Sequence, residues 1–346
     1  MNNQLITGIG VLRKLPILLQ NKQYDGFLLL TDRQVYPLYG KTIIGLLAKI
    51  APVRISIAAN GEKAKDLRIL PHLLRPFFSG KLTRKFCLVS LGGGSVSDIG
   101  GFLAAVLLRG IDHIVIPTTL LSMVDAAIGG KNGLNFKHHG VILKNMIGTF
   151  RHPNLVISDV ETLKTLPESE ILNGLGEMIK YYIGWKKPSP QEMLNIKLRN
   201  ITDKTAEIIA DCQKIKMDII KKDRLEKNGL RQKLNLGHTV GHALEAAASG
   251  RLSHGQAVAV GIVAAAKISR LKGLLSENCY NHIISTIKNL SLPVAVNNLD
   301  IKKVIMSMQY DKKDGNFVLV KDIGQLITAK KVEPEIIRKI LTEIII

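Results

Sequence analysis

The chain has 346 residues, more than one hydrophobic core usually serves, so two domains and a sizeable buried site are expected. Apolar residues at 46% and charged residues at 22% exclude a disordered chain, and three scattered cysteines without a CxxC pair exclude a disulfide framework and suit a reducing cytoplasm. The 48 Lys and Arg against 28 Asp and Glu leave a formal charge of +20 that favours anionic partners, yet no basic stripe, binding motif or aromatic interleaving points to nucleic acid.

The start, MNNQLITGIG, lacks the apolar run of a signal peptide. Beyond it GFLLLTD (26–32), VRISIAA (53–59), KFCLVSLGGG (85–94) and HIVIPTT (113–119) alternate with segments of helical length. That alternation predicts a parallel sheet wound with helices, a Rossmann-like nucleotide-binding α/β domain. In LVSLGGGSVSDIGGFLAAVLLRG (88–110) an apolar strand passes through three glycines into a helix beginning near Asp98. Backbone N–H groups and a helix N-terminus there suit a pyrophosphate, although ligand-free junctions of this kind are common and the pattern is not GxGxxG. The next stretch, PTTLLSMVDAAIGGKNGLNFKHHGVILKNMIG (117–148), sets Asp125, Lys131, Lys144 and Asn145 in a glycine-rich region. A loop could present them at the sheet's carboxyl edge.

From about residue 160 the patterns are helical, and only FVLV (317–320) looks extended. GWKKPSPQEM (184–193) reads as a surface turn between helices, and AVAVGIVAAA (257–266), half the length needed to span a bilayer, as a buried helix. LGEMIK (175–180) puts Glu177 and Lys180 at i, i+3, which for an isolated pair is an ordinary surface ion pair. In LNLGHTVGHALEAAASGRLSHG (234–255), His238 and His242 share one helical face, and a turn can fold His254 back onto it. Two or three imidazoles, a carboxylate and a water make an open zinc site. Spacing by itself favours the i, i+4 pair as ligands and leaves open whether one histidine stays free as an acid or base. Lys216, Arg231 and Asn235 lie just upstream and suit an anionic, hydroxylated substrate.

The set GGGSVSDIGGF, RG, PTTLLSMVDAAIGGK, LKNMIG, DVETLKTLP, GEMIK, GLRQKLNLGHTVGHALE, SHG and DKK, in this order over residues 60 to 324, resembles the 3-dehydroquinate synthase family. The resemblance implies an NAD-binding α/β domain (1–158), a mainly α-helical metal-binding domain (159–346) and a cytoplasmic homodimer. The implied reaction turns 3-deoxy-D-arabino-heptulosonate 7-phosphate into 3-dehydroquinate and phosphate, in the shikimate route to chorismate and aromatic amino acids. Transient oxidation by NAD, phosphate elimination, re-reduction and an internal aldol closure carry it. By motif, Glu177, His238 and His254 resemble the ligands of zinc, which cobalt could replace, and His242 resembles the histidine kept for chemistry. Lys180 and Glu226 resemble further catalytic residues, an extra residue, Lys227 or Asn228, disturbing the register at Glu226. Arg109, Asp125, Lys131, Asn145, Lys216, Arg231, Asn235 and one lysine of Lys312-Lys313, here taken as Lys312, resemble substrate contacts, Arg109 reaching a neighbouring subunit's site. The cofactor side resembles Asp32, Asn60, Gly61, Glu62, Lys65, the loop Gly94, Ser95, Val96, Ser97 and Asp98, with Thr118, Thr119, Lys131, Lys144, Thr162, Leu163, Lys164 and Thr165.

Departures from the family pattern are Ala126-Ala127 for serines, Asn132 for threonine, a longer 131–144 segment and Gln256 for glutamate. Competing readings are a related sugar phosphate cyclase of the valiolone or inosose type and a polyol phosphate dehydrogenase, which would accumulate NADH. A nucleic-acid-binding protein has only the charge in its favour, and no membrane partner is expected.

Overall fold

The computed structural model describes residues 4–138, 141–223, 229–309, 316–329 and 331–346. These divide into two compact units, one of residues Met1–Leu166 with Ile201–Ile209, the other of Pro167–Asn200 with Ala210–Ile346.

The first unit is built on a six-stranded parallel sheet: β1 (Gln4–Gly8), β2 (Gly26–Asp32), β3 (Val53–Ala58), β4 (Phe86–Gly92), β5 (Asp112–Pro117) and, later in the chain, β8 (Leu155–Asp159), in the order β1-β8-β5-β4-β2-β3. Every residue of β2 and β4 is buried, as central strands covered on both faces require. Alternation of side chains divides β2 between two cores. Phe27 and Leu29 pack with Leu15 and Leu19 of α1 (Leu15–Leu19) and Ile43 and Leu47 of α2 (Lys41–Leu47). Leu28 and Leu30 pack on the opposite face with Leu73 of α3 (Leu70–Leu74) and with Val96, Ile99 and Leu103 of α4 (Gly94–Val106). The chain leaves β2 toward β3 on one side and returns to β4 on the other. The strand order therefore reverses between β2 and β4, and the crevice at their carboxyl ends is where such sheets bind ligands.

One expectation is corrected here. Residues 131–138 and 141–144 are not loop: β6 (Lys131–His138) and β7 (Val141–Phe150) pair as antiparallel strands, with a register shift between Leu134 and Phe136. Leu134 and Asn135 are buried, and Asn132 donates to the carbonyls of Gly130 (3.0 Å) and Arg151 (2.9 Å), so its side chain joins the residues before β6 and after β7.

The second unit is mainly helical: α5 (Glu168–Trp185), α6 (Pro190–Lys197), the later part of α7 (Asp203–Lys222), α8 (His238–Ala248), α9 (His254–Leu271), α10 (Glu277–Asn289), α11 (Ile301–Gln309) and α12 (Pro334–Ile344). Here too one expectation needs correcting, because FVLV is not the only extended segment. It belongs to β9 (Phe317–Asp322), which pairs with β10 (Gln325–Ala329) across a tight turn in which Gly324 takes φ +88°. Between α5 and α6 the turn is short, opened by Lys186 in a left-handed conformation and closed by a capping box of Ser189 with Glu192. Among the described residues no helix is long and apolar enough to cross a membrane.

Candidate functional site

In the second unit three helices approach so closely that only glycine fits at their crossings. A Cβ on Gly176 of α5 would lie 2.2 Å from the carbonyl oxygen of Gly255 on α9, and one on Gly261 would lie 1.9 Å from that of Gly237, the left-handed residue before α8. The amide of Gly255 donates to Asn173 Oδ1 at 2.7 Å, tying α9 to α5. This packing sets Glu177, one residue past Gly176, against His238, the first residue of α8, and His254, the first residue of α9, with His242 one turn further along α8. The start of α9 is fixed by a capping box in which Ser253 N–H donates to Gln256 Oε1 at 3.0 Å, so glutamine retains an acceptor role at this position.

Glu177 Oε1 lies 3.2 Å from Nε2 of both His238 and His254. Ligands about 2.0–2.1 Å from a tetrahedral ion stand about 3.3 Å apart, so these spacings match edges of a zinc polyhedron. The rings of His238, His242 and His254 have centroids 5.1–5.8 Å apart, and one nitrogen of each lies within 4.8 Å of the others. His238 Nδ1 donates to the Leu236 carbonyl at 3.1 Å. The neutral ring therefore turns its Nε2 lone pair toward a carboxylate oxygen, an opposition of two acceptors that a cation between them resolves. On the other side of its own ring, His254 Nδ1 donates to Glu245 Oε2 at 3.0 Å.

Charge follows the same geometry. Burial by itself would raise the Glu177 carboxyl, but the Lys180 ammonium, its ion-pair partner, and the His238 ring hold it well below the ordinary value. Burial pushes His238 down to about 3 against the pull of Glu177. It works in the same direction on His254, where the hydrogen bonds to Glu177 and Glu245 prevail and carry the ring up to about 10. Lys180, Lys216 and Arg231 are all buried cations of this unit, and Asn235 is half-buried. Buried Asp223 accepts from the Arg231 amide at 2.9 Å.

In the first unit the carboxyl end of β2 supplies Asp32, whose Oδ1 accepts from the amides of Gln34 and Val35, both at 2.9 Å. At the end of β4 the helix α4 starts on Gly94, and Gly93 before it offers no side-chain cap, so no side chain satisfies the first amides of α4, an arrangement that suits an anion. A Cβ on Gly93 would lie 3.1 Å from Thr119, and one on Gly94 3.1 Å from Ala126. Thr118 Oγ1, at the end of β5, is buried without a hydrogen-bond partner. An uncapped helix start, glycines at close approach and an orphaned hydroxyl fit a pyrophosphate.

Beside this cradle is a polar network. Lys65, buried, pairs with Asp98 at 2.6 Å and donates to Asn145 Oδ1, while Asn135 donates to Glu62 Oε2 (2.8 Å) and accepts from the Asn145 amide (3.0 Å). Ser97 lies within the first turns of α4 and Ser95 on its start; Asn60 precedes the short 3-10 turn Gly61–Lys65. Asp125 is half-buried on the turn Ser122–Ala126, whereas Lys131 and Lys144 are exposed on β6 and β7. Thr162, Leu163, Lys164 and Thr165 form a 3-10 turn after β8, pinned by Tyr39, whose hydroxyl is 2.6 Å from Thr165 Oγ1. Arg109 is not brought to the cradle: it is exposed at φ +65° beyond the far end of α4, a helix of 13 residues and so about 20 Å long. Glu226 and Lys312 lie outside the described residues.

Sequence reasoning missed Glu245, Asp223, Asn135 and Tyr39. Glu245 had a visible signal, since it continues the stripe of His238 and His242 along α8; the other three are placed by tertiary contacts alone.

Residues 55–173 match the family profile described as 3-dehydroquinate synthase N-terminal, and residues 174–314 the one described as 3-dehydroquinate synthase C-terminal. The chain is 38% identical over 327 residues to the 3-dehydroquinate synthase of Pseudoalteromonas atlantica, covering 92% of this chain and 90% of that one. Its fold resembles a crystal structure of 2-deoxy-scyllo-inosose synthase complexed with carbaglucose-6-phosphate, NAD+ and Co2+ (TM-score 0.88, 23% identity, 98% and 96% of the two chains). It also resembles 2-epi-5-epi-valiolone synthase from Streptomyces hygroscopicus with NAD+ and Zn2+ bound (TM-score 0.85, 23% identity, 99% and 97%).

Proposed function

This chain belongs to the 3-dehydroquinate synthase family, and we propose that it converts 3-deoxy-D-arabino-heptulosonate 7-phosphate to 3-dehydroquinate and phosphate, as a phosphate-eliminating lyase of the shikimate pathway. The observation that carries the reading is the buried Glu177 carboxylate facing the Nε2 atoms of His238 and His254, 3.2 Å from each. Those three side chains would hold the divalent metal, zinc or cobalt. On the first unit, Gly94, Ser95, Val96, Ser97 and Asp98 would hold the pyrophosphate of NAD, and Asp32, Asn60, Gly61, Glu62, Lys65, Thr118, Thr119, Lys131, Lys144 and Thr162–Thr165 would hold the rest of the cofactor. When bound, the metal supplies Lewis acidity toward a substrate oxygen, and NAD supplies a hydride acceptor that is restored within each cycle.

The protein's own groups do the remaining work. Lys180, Lys216 and Arg231, with Asn235, bind and orient a substrate that carries both a carboxylate and a phosphate, and the low-dielectric setting of the three buried cations strengthens that hold. His242, half-buried beside the ligand set, moves a proton at a substrate hydroxyl oxygen. Asp125, Lys131 and Asn145, like Glu226 and Lys312, are assigned by the family pattern alone. The enzyme is a cytoplasmic homodimer in which Arg109, on its exposed turn, reaches the neighbouring subunit's site. Three free cysteines, two of them buried, accord with a reducing compartment.

Purified protein incubated with zinc, catalytic NAD and 3-deoxy-D-arabino-heptulosonate 7-phosphate tests the reading. The expected result is stoichiometric phosphate and 3-dehydroquinate without accumulating NADH. No phosphate release from a folded sample that binds zinc and NAD overturns the substrate assignment. For the roles of the histidines, His254→Ala abolishes zinc binding and His242→Ala retains it with little turnover; the reverse pattern exchanges the two.

A further inference from the structure

The imidazole of His254 has two partners on opposite sides. Its Nε2 faces Glu177 at 3.2 Å, and its Nδ1 donates to Glu245 Oε2 at 3.0 Å. Glu245 stands seven residues after His238 and three after His242, so α8 presents all three along one stripe, at i, i+4 and i+7. Between Glu245 and His254 the chain turns through Ser249 (φ +50°) and Gly250 (φ +90°), and the Glu245 contact closes that turn by linking the end of α8 to the first residue of α9.

We propose that Glu245 is a positioning residue of the metal centre: its carboxylate holds the Nδ1 proton of His254, and so keeps the Nε2 lone pair aimed at the ion between Glu177, His238 and His254. The inference rests on the metal reading given above and goes beyond its ligand set. A group bonded to Nδ1 cannot share an ion bonded to Nε2, because the two nitrogens point out of opposite sides of the ring; Glu245 acts through His254. The other histidine of the set has its Nδ1 occupied in the same manner, by the Leu236 carbonyl. The two partners differ in charge. His254 is the first residue of α9, where the helix end carries partial positive charge, and the Lys180 ammonium also acts on this site. A divalent ion placed there has Glu177 as its single carboxylate ligand, and Glu245 adds a second negative charge without taking up a coordination position. A backbone carbonyl in its place would fix the tautomer but not balance that charge.

The test measures zinc and cobalt affinity of the full chain by competition with a chromophoric chelator, for wild type, Glu245→Gln, Glu245→Leu and His254→Ala, with circular dichroism and NAD affinity as folding controls. Glu245→Leu weakens zinc binding roughly 10- to 100-fold and Glu245→Gln less, since its amide oxygen still accepts from Nδ1. The visible absorption of the cobalt form shifts in both variants while NAD affinity is unchanged. Zinc affinity within about twofold of wild type in folded Glu245→Leu, with His254→Ala devoid of binding, overturns the role of Glu245 and leaves the metal site standing. If His254→Ala binds zinc as wild type does, the metal reading itself has failed. If Glu245→Leu is unfolded, Glu245→Gln decides the matter by the same affinity and cobalt spectrum.

Discussion

Lys180 and Glu177 form an ion pair on consecutive turns of α5 with both side chains buried, 2% and 0% exposed. A buried charge is tolerated only with a partner, and removing one member of such a pair costs about 3–5 kcal/mol because the other is left uncompensated. Lys180→Met therefore destabilises the metal-free protein, by less than that range because the His254 ring still faces Glu177 at 3.2 Å. Excess zinc restores much of the loss, since a cation at Glu177 replaces the missing charge. Thermal unfolding with chelator and with zinc measures both. An equal loss under the two conditions would mean that Lys180 does not act as the charge partner of Glu177.

His113, in the middle of the first unit's sheet, gives a second, pH-dependent prediction. Its Nε2 is 2.9 Å from Ser90 Oγ and its Nδ1 is buried without a partner. Burial, aided by the Arg151 charge, pushes the ring down to about 3 from the ordinary 6.5. The unfolded chain takes up this proton near pH 6.5 and the folded chain refuses it until about pH 3, so protonation favours unfolding. Stability is complete above pH 6.5 and falls by up to about 1.4 kcal/mol per pH unit below it. His113→Gln, which retains a group able to reach Ser90, removes that slope. Urea unfolding of both proteins at several pH values between about 7 and 5 checks it, and parallel slopes would refute the assignment.

How much of this was legible depended on what kind of contact builds each part. GFLLLTD and KFCLVSLG could be read as strands because a strand buried on both faces is written as a continuous apolar run. The β6–β7 pair escaped, since Gly133 faces Gly148 and lysines and asparagines break the alternation that marks a half-buried strand. β10 is five residues long and gains its partner only through the turn at Gly324. The histidine cluster could be read because helical spacing and a short turn place it. Its approach to Glu177 came from the family pattern, since nothing local shows that Gly176 and Gly255 let two helix backbones touch.

Asn135 is buried where β6 shifts register, and its side chain serves Glu62 and the amide of Asn145 together. Asn145 is held at φ +52°, a conformation that needs such support, and it accepts from Lys65. Under the NAD reading, Asn135→Ala removes the tie between Glu62 and the Asn145 amide, at about 0.5–1.5 kcal/mol per hydrogen bond lost, and weakens NAD binding by about tenfold or more. Zinc affinity, which belongs to the second unit, stays as in wild type. Calorimetric titrations with NAD and zinc separate the two, and an unchanged NAD affinity in the folded variant would remove Asn135 from the cofactor site.

The crossing of α5 and α9 at Gly176 gives the last prediction. A Cβ at Gly176 would stand 2.2 Å from the Gly255 carbonyl oxygen and 2.5 Å from the Gly255 Cα, both backbone atoms that cannot rotate away. Gly176→Ala must therefore separate α5 from α9, at a cost of about 1–3 kcal/mol or more for overpacking. The displacement falls on Glu177, the next residue, whose Oε1 is 3.2 Å from His254 Nε2. Metal ligands tolerate errors of about 0.2 Å. The variant should thus lose zinc affinity by far more than Gly45→Ala, a control in α2 whose added Cβ meets nothing within 4 Å. Chelator competition and thermal unfolding of both variants provide the comparison. Wild-type zinc affinity in folded Gly176→Ala would mean that the glycine contact does not set the distance between Glu177 and His254.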